Sequence, residues 1–222
     1  MPSWRPRLPQ AAPPKADVDA HTWDERYAAS EQVWSLAPNQ FVAAELADLP
    51  PGDAVDLACG EGRNAIWLAS RGWRVTAVDF SEVAVQRGRE RAGRVPVEWR
   101  VGDVVTVDLP SADLVLLAYL QLPAEERGPV VRRSFDVLRP GGTLFVVAHD
   151  TTNLTEGTGG PQDPAVLFTA EDVLHDLGGL AQDRLFDVLR AERVPREVPV
   201  TDDHGGTAGR TAWDALVRLT RR

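Results

Sequence analysis

Apolar residues along this chain fall into short continuous runs, set apart by stretches with helical spacing. Ala54–Ala58, Arg74–Asp79, Val97–Val101, Asp113–Ala118 and Thr143–Ala148 read as strands. The run Asp-Leu-Val-Leu-Leu-Ala at 113–118 is apolar at successive positions, as in a parallel strand covered on both faces. Helical segments lie between these runs. Phe41, Val42, Glu45, Leu46 and Leu49 share one helical face, stopped by Pro50-Pro51-Gly52-Asp53. Arg63–Arg71 ends at Gly72. Ser81 caps a helix to about Ala92, with Glu82 at its positive end and Gly93 closing it. Pro129–Leu138 reads as helix, and Arg139-Pro140-Gly141-Gly142 as the turn into the next strand. Thr169-Ala170-Glu171-Asp172 opens a further helix with a capping-box acid. Asp183–Val200 holds a strand of loose limits. Trp213, Ala215, Val217 and Leu219 alternate with Asp214, Leu216, Arg218 and Thr220, so the chain ends on a strand. Such alternation predicts a doubly wound α/β fold with a parallel sheet and helices on both faces.

The flanking segments differ in character. Residues 1–16 carry five prolines, which break helices and remove backbone donors, and read as a disordered tail. Residues 17–222 then form one domain. Within it, 17–49 set Trp23, Tyr27, Val33, Trp34 and Phe41 among charged and small residues, and 150–168 form a flexible Gly-, Thr- and Pro-rich loop.

Charge narrows the partners. Lys+Arg number 24 and Asp+Glu 33, a formal charge of −9. The arginines are scattered among acids, and Lys15 is the one lysine. Such a surface repels nucleic-acid phosphate and favours a small-molecule partner. The single cysteine, Cys59, permits no intrachain disulfide and suits a reducing, cytoplasmic setting. No apolar run reaches membrane-spanning length, and the N-terminus lacks the apolar core of a signal peptide, so no membrane partner is expected.

The chemistry concentrates in Val55-Asp56-Leu57-Ala58-Cys59-Gly60-Glu61-Gly62-Arg63-Asn64. Gly60 and Gly62 sit between a strand and a helix, where glycine lets a ligand approach the backbone and the helix start offers free N–H groups. Asp79 ends the next strand, 19 residues after Gly60, placed to accept from ribose hydroxyls. Ala65 stands where a dinucleotide fingerprint has its third glycine, a tolerated change. Asp56 is more telling. An acid in the strand before the turn opposes a pyrophosphate and suits a ligand with a cationic end. Tyr119 and Gln121 follow the fourth strand, and His149 and Asp150 the fifth, where parallel strands end at the ligand crevice. They are the candidate catalytic or substrate-facing residues. By position His149 is the best candidate for a general base among them. Asp202-Asp203-His204 are metal-ligating types in a row, but adjacent side chains rarely chelate one ion and no second cluster accompanies them, so no metal site is expected.

Asp56–Arg63 resembles motif I of class I S-adenosylmethionine-dependent methyltransferases. Val78-Asp79-Phe80-Ser81 resembles the motif that follows it, Gly102-Asp103-Val104 the adenine segment, Asp113-Leu114-Val115 motif IV, and Leu138–Leu144 the turn before strand five. The motifs occur in order over about 40–148. The similarity is closest to small bacterial tellurite-resistance and thiopurine-methyltransferase types. The resemblance implies a Rossmann-like, mostly parallel seven-stranded sheet with an antiparallel strand near the C-terminus, and S-adenosyl-L-methionine as cofactor. It assigns Asp56, Ala58, Cys59, Gly60 and Gly62 to the turn around the methionine portion, with Asp56 either at the ligand or holding the turn's own N–H groups. Asp79 falls to the ribose, Phe80 to the adenine face, Asp103 to adenine N6, and Val104 to a backbone contact. Trp23, Tyr27 and Trp34 match a lid segment, with Trp34 over the cofactor. The implied activity is in-line methyl transfer to a small-molecule heteroatom such as a thiol or an oxyanion. The Asn/Asp-Pro-Pro-aromatic tetrapeptide of base methylases is missing after strand four, where Tyr119-Leu120-Gln121-Leu122 stands. Two other readings stay open. One is a non-catalytic cofactor-binding protein. The other is a nicotinamide-dependent oxidoreductase, which lacks a Tyr-x-x-x-Lys pair.

Overall fold

The computed structural model describes residues 20–29, 37–182, 185–201 and 207–222. The Pro-rich tail, Val33, Trp34 and the Asp202-Asp203-His204 run lie outside the described residues. Strands β1 (Asp53–Leu57), β2 (Arg74–Asp79), β3 (Val97–Val101), β4 (Ala112–Ala118), β5 (Leu138–His149), β6 (Phe186–Thr201) and β7 (Thr207–Arg221) make one sheet in the order β3-β2-β1-β4-β5-β7-β6. β1 to β5 pair in parallel; β7 pairs antiparallel with β5 and with β6. The mostly parallel sheet with its antiparallel C-terminal strand is thus present. Strand order reverses between β1 and β4, the switch point where ligands bind in open α/β sheets.

Residues alternate between two cores, one on each face of the sheet. Val55, Leu57, Val115, Leu117, Leu144 and Val146 meet α5 (Ala124–Asp136) and α7 (Ala170–Leu177). Ala54, Leu114, Leu116, Phe145 and Val147 meet α2 (Gln40–Leu46) and α3 (Arg63–Ser70). Each fully buried Val, Leu or Phe contributes about 1.5–3 kcal/mol of burial free energy. Two helices start as their side chains dictate. Ser81 Oγ accepts from the Ala84 N–H at the start of α4 (Glu82–Ala92), and Thr169 with Asp172 forms a reciprocal capping box on α7.

Three boundaries differ from the sequence reading. α5 begins at Ala124, with Pro129 inside it, because Pro123 already serves as the N-cap. The Arg139–Gly142 turn is a bulge: β4 pairs Ala112 with Leu138 and then Leu114 with Thr143. The 150–168 loop holds α6 (Asn153–Glu156) and a 3-10 turn, Pro164–Val166. A four-residue helix, α8 (Gly179–Gln182), precedes β6.

β5 ends opposite β7 at His149–Asp214, whereas β6 and β7 stay paired out to Thr201–Thr207. The hairpin therefore runs beyond the sheet as a two-stranded arm. At the opposite flank, α1 (Ala20–Ala29) packs on α4. Asp24 Oδ1 accepts from the Ser81 hydroxyl and, at 3.3 Å, from the Val83 N–H. No helix among the described residues is long and apolar enough to cross a membrane.

Candidate active site

The glycine turn is built by backbone that side chains disfavour. Ala58, Gly60 and Gly62 all have positive φ, at 54°, 55° and 78°. A left-handed conformation is costly at Ala58, which carries a Cβ. The turn is held on three sides. The Cys59 N–H donates to Val78 O at 3.0 Å, and the Gly60 N–H to Asp79 Oδ2 at 2.7 Å. Glu61 is buried and pairs with Arg91 at 2.7 Å and Arg87 at 3.5 Å, both on α4. The Trp99 ring fills the space beneath Gly62, where a Cβ would come within 2.1 Å of it.

Asp79 joins this turn to the start of α4, since its Oδ1 also accepts from the Ser81 N–H at 2.9 Å. Burial raises its carboxyl above the usual range, opposed by the Ser81 and Gly60 N–H groups. One bond per oxygen leaves lone pairs for further donors. Phe80 beside it is half-buried. Asp103 is exposed and accepts from the Val105 N–H at 2.8 Å, while Val104 is buried with its carbonyl 3.4 Å from Arg133. The Cys59 thiol is buried and pushed up by burial and by Asp79 and Asp56, so it stays a protonated wall of the turn.

Asp56 lies 1% exposed on the α3 face of β1, and neither carboxylate oxygen has a hydrogen-bond partner of ordinary geometry. Burial and then the charge of Asp79 push its carboxyl to about 7; Arg63 and the Ala65 backbone amide pull weakly the other way. Asp56 therefore does not brace the turn's N–H groups. An unpartnered buried carboxylate is costly, and a cationic ligand group or a proton relieves it. Arg63, half-buried at the start of α3, feels the charges of Tyr119, Asp56, Arg196 and Tyr27, so it stands between this half and the next. An acid and a base so placed fit the ammonium and carboxylate of an amino-acid end group.

The second half lies at the carboxyl ends of β4 and β5. Asp214 of β7 is fully buried. Its Oδ2 accepts from the Tyr119 hydroxyl and from Arg196 Nε, each at 2.7 Å. Its Oδ1 lies 3.3 Å from His149 Nδ1. Burial alone would raise this carboxyl, but the His149, Arg196 and Tyr119 contacts hold it below the usual range. Burial and the neighbouring carboxylate push the Tyr119 phenol well up, so it remains a donor. Tyr119 itself has φ of 60° and stacks tilted on the His149 ring at 5.0 Å. Asn39, the N-cap of α2, donates to the Tyr119 oxygen at 3.3 Å. Gln121 is a brace: it accepts from the His149 N–H at 2.8 Å and donates to Val166 O at 2.5 Å. Asp150 turns its carboxylate to Thr152.

The structure thus gathers Asp56, Ala58, Cys59, Gly60, Gly62 and Asp79 in one turn, and Tyr119 with His149 in a second cluster. Trp34 lies outside the described residues. Asn39, Arg63, Arg196 and Asp214 were missed as functional candidates. Asp214 stands in a strand that also carries Arg210, Thr211, Arg218 and Thr220, so it read as one polar position of an alternating strand; Arg196 carried no signal. Among the described residues no cluster of three metal-ligating side chains occurs.

Residues 54–142 match the methyltransferase domain family. An uncharacterised methyltransferase of Mycobacterium tuberculosis is 34% identical over 105 residues, covering 46% of this chain and 53% of that protein. The thiopurine S-methyltransferase of Vibrio cholerae is 27% identical over 165 residues, covering 64% of this chain and 75% of that protein. The chain thus spans about half the length of the first curated relatives it matches. The N-methyltransferase NodS of Bradyrhizobium japonicum, solved with S-adenosyl-L-homocysteine, superposes with a TM-score of 0.67 at 19% identity, covering 91% of this chain and 98% of that one. At that identity the likeness speaks for the fold alone. Residues 54–142 are thus similar to the methyltransferase domain family, and the mostly parallel seven-stranded sheet is a Rossmann-like fold shared with S-adenosylmethionine-dependent methyltransferase structures.

Proposed function

We propose that this protein transfers a methyl group from S-adenosyl-L-methionine to a heteroatom of a small molecule, by in-line displacement. The observation that carries the proposal is Asp56, whose buried, unpartnered carboxylate lies beneath a glycine turn. The bound cofactor supplies a methyl group already activated on a sulfonium. The chain's residues have to bind and orient. Asp56 takes the ammonium, Arg63 the carboxylate, and Ala58, Gly60 and Gly62 offer close backbone. Asp79 takes the ribose diol, and Asp103 with Val104 the adenine beside Phe80. Orientation of donor and acceptor is the main catalytic term for such a displacement.

The acceptor belongs over β4 and β5, between Tyr119 and His149. His149 Nε2 serves as base where the acceptor carries a proton. That proton passes to Nε2 as the heteroatom gains the methyl group, so the imidazole takes up the positive charge that the sulfonium gives up. The surplus of acids over bases supports a small-molecule acceptor rather than a nucleic acid.

The test has two stages. Calorimetry should give binding of S-adenosyl-L-methionine in preference to NAD, weakened at least tenfold in Asp79→Ala; tighter NAD binding overturns the proposal. Methyl-labelled cofactor is then offered to thiols, oxyanions, phenols, amines, DNA and RNA. Label should enter one of the small molecules. Label in nucleic acid refutes the acceptor class, and cofactor binding with no transfer at all favours a non-catalytic binding protein.

A further inference from the structure

The four donors around Asp214 share its two oxygens unequally. Oδ2 is occupied by the Tyr119 hydroxyl and Arg196 Nε. Oδ1 is left to His149 Nδ1, with the second Arg196 nitrogen farther off at 3.5 Å. We infer that Asp214 is a positioning residue for His149: it fixes the neutral imidazole as the Nδ1–H tautomer and leaves Nε2 as the proton-accepting nitrogen. This inference rests on the reading of His149 as the base. An ionised carboxylate only accepts hydrogen bonds, so the ring nitrogen that meets it must be the one bearing hydrogen.

The surroundings prevent the ring from escaping this choice. The backbone at Gly160, with φ of +79°, lies flat on the imidazole: a Cβ there would come within 2.9 Å of Cγ, Cδ2 and Nδ1. Tyr119 stacks against the ring at 5.0 Å. The His149 N–H is tied to Gln121, and antiparallel pairing sets His149 directly opposite Asp214. A ring flip would demand displacement of two chain segments. The charged and titratable groups around the pair are Tyr119 after β4, Arg196 on β6, Asp214 on β7, and Arg63 on α3, whose charge reaches Tyr119 and Arg196. Arg196 lies 5.4 Å over the Tyr119 ring, so one guanidinium steadies both the carboxylate and the phenol. Nδ1 is buried and lies 3.3 Å from Oδ1 without hydrogen-bond geometry and with no other hydrogen-bond partner, and catalytic contacts often align only when substrate binds.

The arrangement makes Asp214→Asn an informative change. Arg196 Nε and Tyr119 demand an acceptor at the Oδ2 position, so the new amide oxygen goes there. The amide nitrogen then faces His149 and donates, which turns Nδ1 into the acceptor and moves the ring hydrogen to Nε2. Transfer to an acceptor that needs deprotonation should fall by roughly a hundredfold or more. Long-range 1H–15N correlation spectra of the protein saturated with S-adenosyl-L-homocysteine read the tautomer without any turnover. The four histidines are told apart by the signal lost in His149→Gln. Wild type should show Nδ1–H at His149, Asp214→Asn should show Nε2–H, and Asp214→Glu should retain Nδ1–H. Nε2–H in the wild type overturns the inference, and so does an unchanged tautomer in folded Asp214→Asn. If that variant does not fold, the wild-type spectrum alone decides. The expected tautomer in a protein that transfers no methyl group faults the reading of the reaction. The opposite tautomer with transfer intact faults this inference alone.

Discussion

At the scale of single residues, Asp56 links ligand binding to stability. Its folded-state carboxyl titrates near 7 against an ordinary 3.8, so the folded protein favours the protonated form. The sign follows from linkage. Below about pH 4 Asp56 costs nothing; from there to about 7 its penalty on the ligand-free fold grows, reaching on the order of 4 kcal/mol, and above 7 it is constant. Asp56→Asn should therefore raise the melting temperature of the ligand-free protein at pH 8 while changing it little at pH 4. Parallel melting curves at the two pH values check this; an equal shift at both would dismiss the buried charge as its cause. Under the proposed binding mode, in which Asp56 meets the cofactor ammonium, the same variant should also weaken cofactor binding. Asp56 was legible because an acid within an apolar strand calls for a reason. Asp214 offered no such signal, because it shares the polar side of an alternating strand with Arg218 and Thr220. Burial of β7 between β5 and β6 overrides that alternation, and only the pairing of His149 with Asp214 reveals the role.

At the scale of elements, α4 is the clamp of the glycine turn. Arg87 and Arg91 hold Glu61, Ser81 meets Asp79, and the Trp99 ring lies under both Gly62 and Gly88. Gly88→Ala would ordinarily stabilise a helix interior by about 0.5–1 kcal/mol. Here its Cβ would lie 2.4 Å from the Trp99 ring, so the change should destabilise the protein by about 1–3 kcal/mol. In a Trp99→Ala background the same change should turn neutral or stabilising. Denaturant unfolding of the four proteins gives the coupling, and additive effects would contradict the clamp. The helix starts at Ser81 and Thr169 were readable, because side-chain caps are local chemistry. The start of α5 was not, since Pro129 suits a first helical turn as well as it tolerates an interior position whose packing is favourable.

At the scale of the whole molecule, the mostly parallel sheet followed from the alternation of strands and helices and from the ordered motifs, whereas the cluster around Asp214 draws on β4, β5, β6, β7 and the cap of α2 at once. No local pattern encodes such a meeting: Asn39, Tyr119, His149, Arg196 and Asp214 span most of the chain. The opposite flank carries a latch between α1 and α4. Asp24 reaches the start of α4, so Asp24→Ala should free α1 from it. Amides of α1 should then exchange with solvent at least tenfold faster while those of α5 do not change; equal protection of α1 in both proteins would refute the latch. The projecting β6–β7 arm has its own bearing on how the chain tolerates changes of length. Trp213 and Arg193 on the arm grip Glu156 and Thr152, so the arm's base carries the roof above His149. Its outer rungs touch no other strand of the sheet. Residues can be gained or lost there in pairs, keeping each side chain on its own face, without disturbing the contacts that hold the glycine turn. A change in the length of the arm can thus leave the glycine turn and its supports as they are.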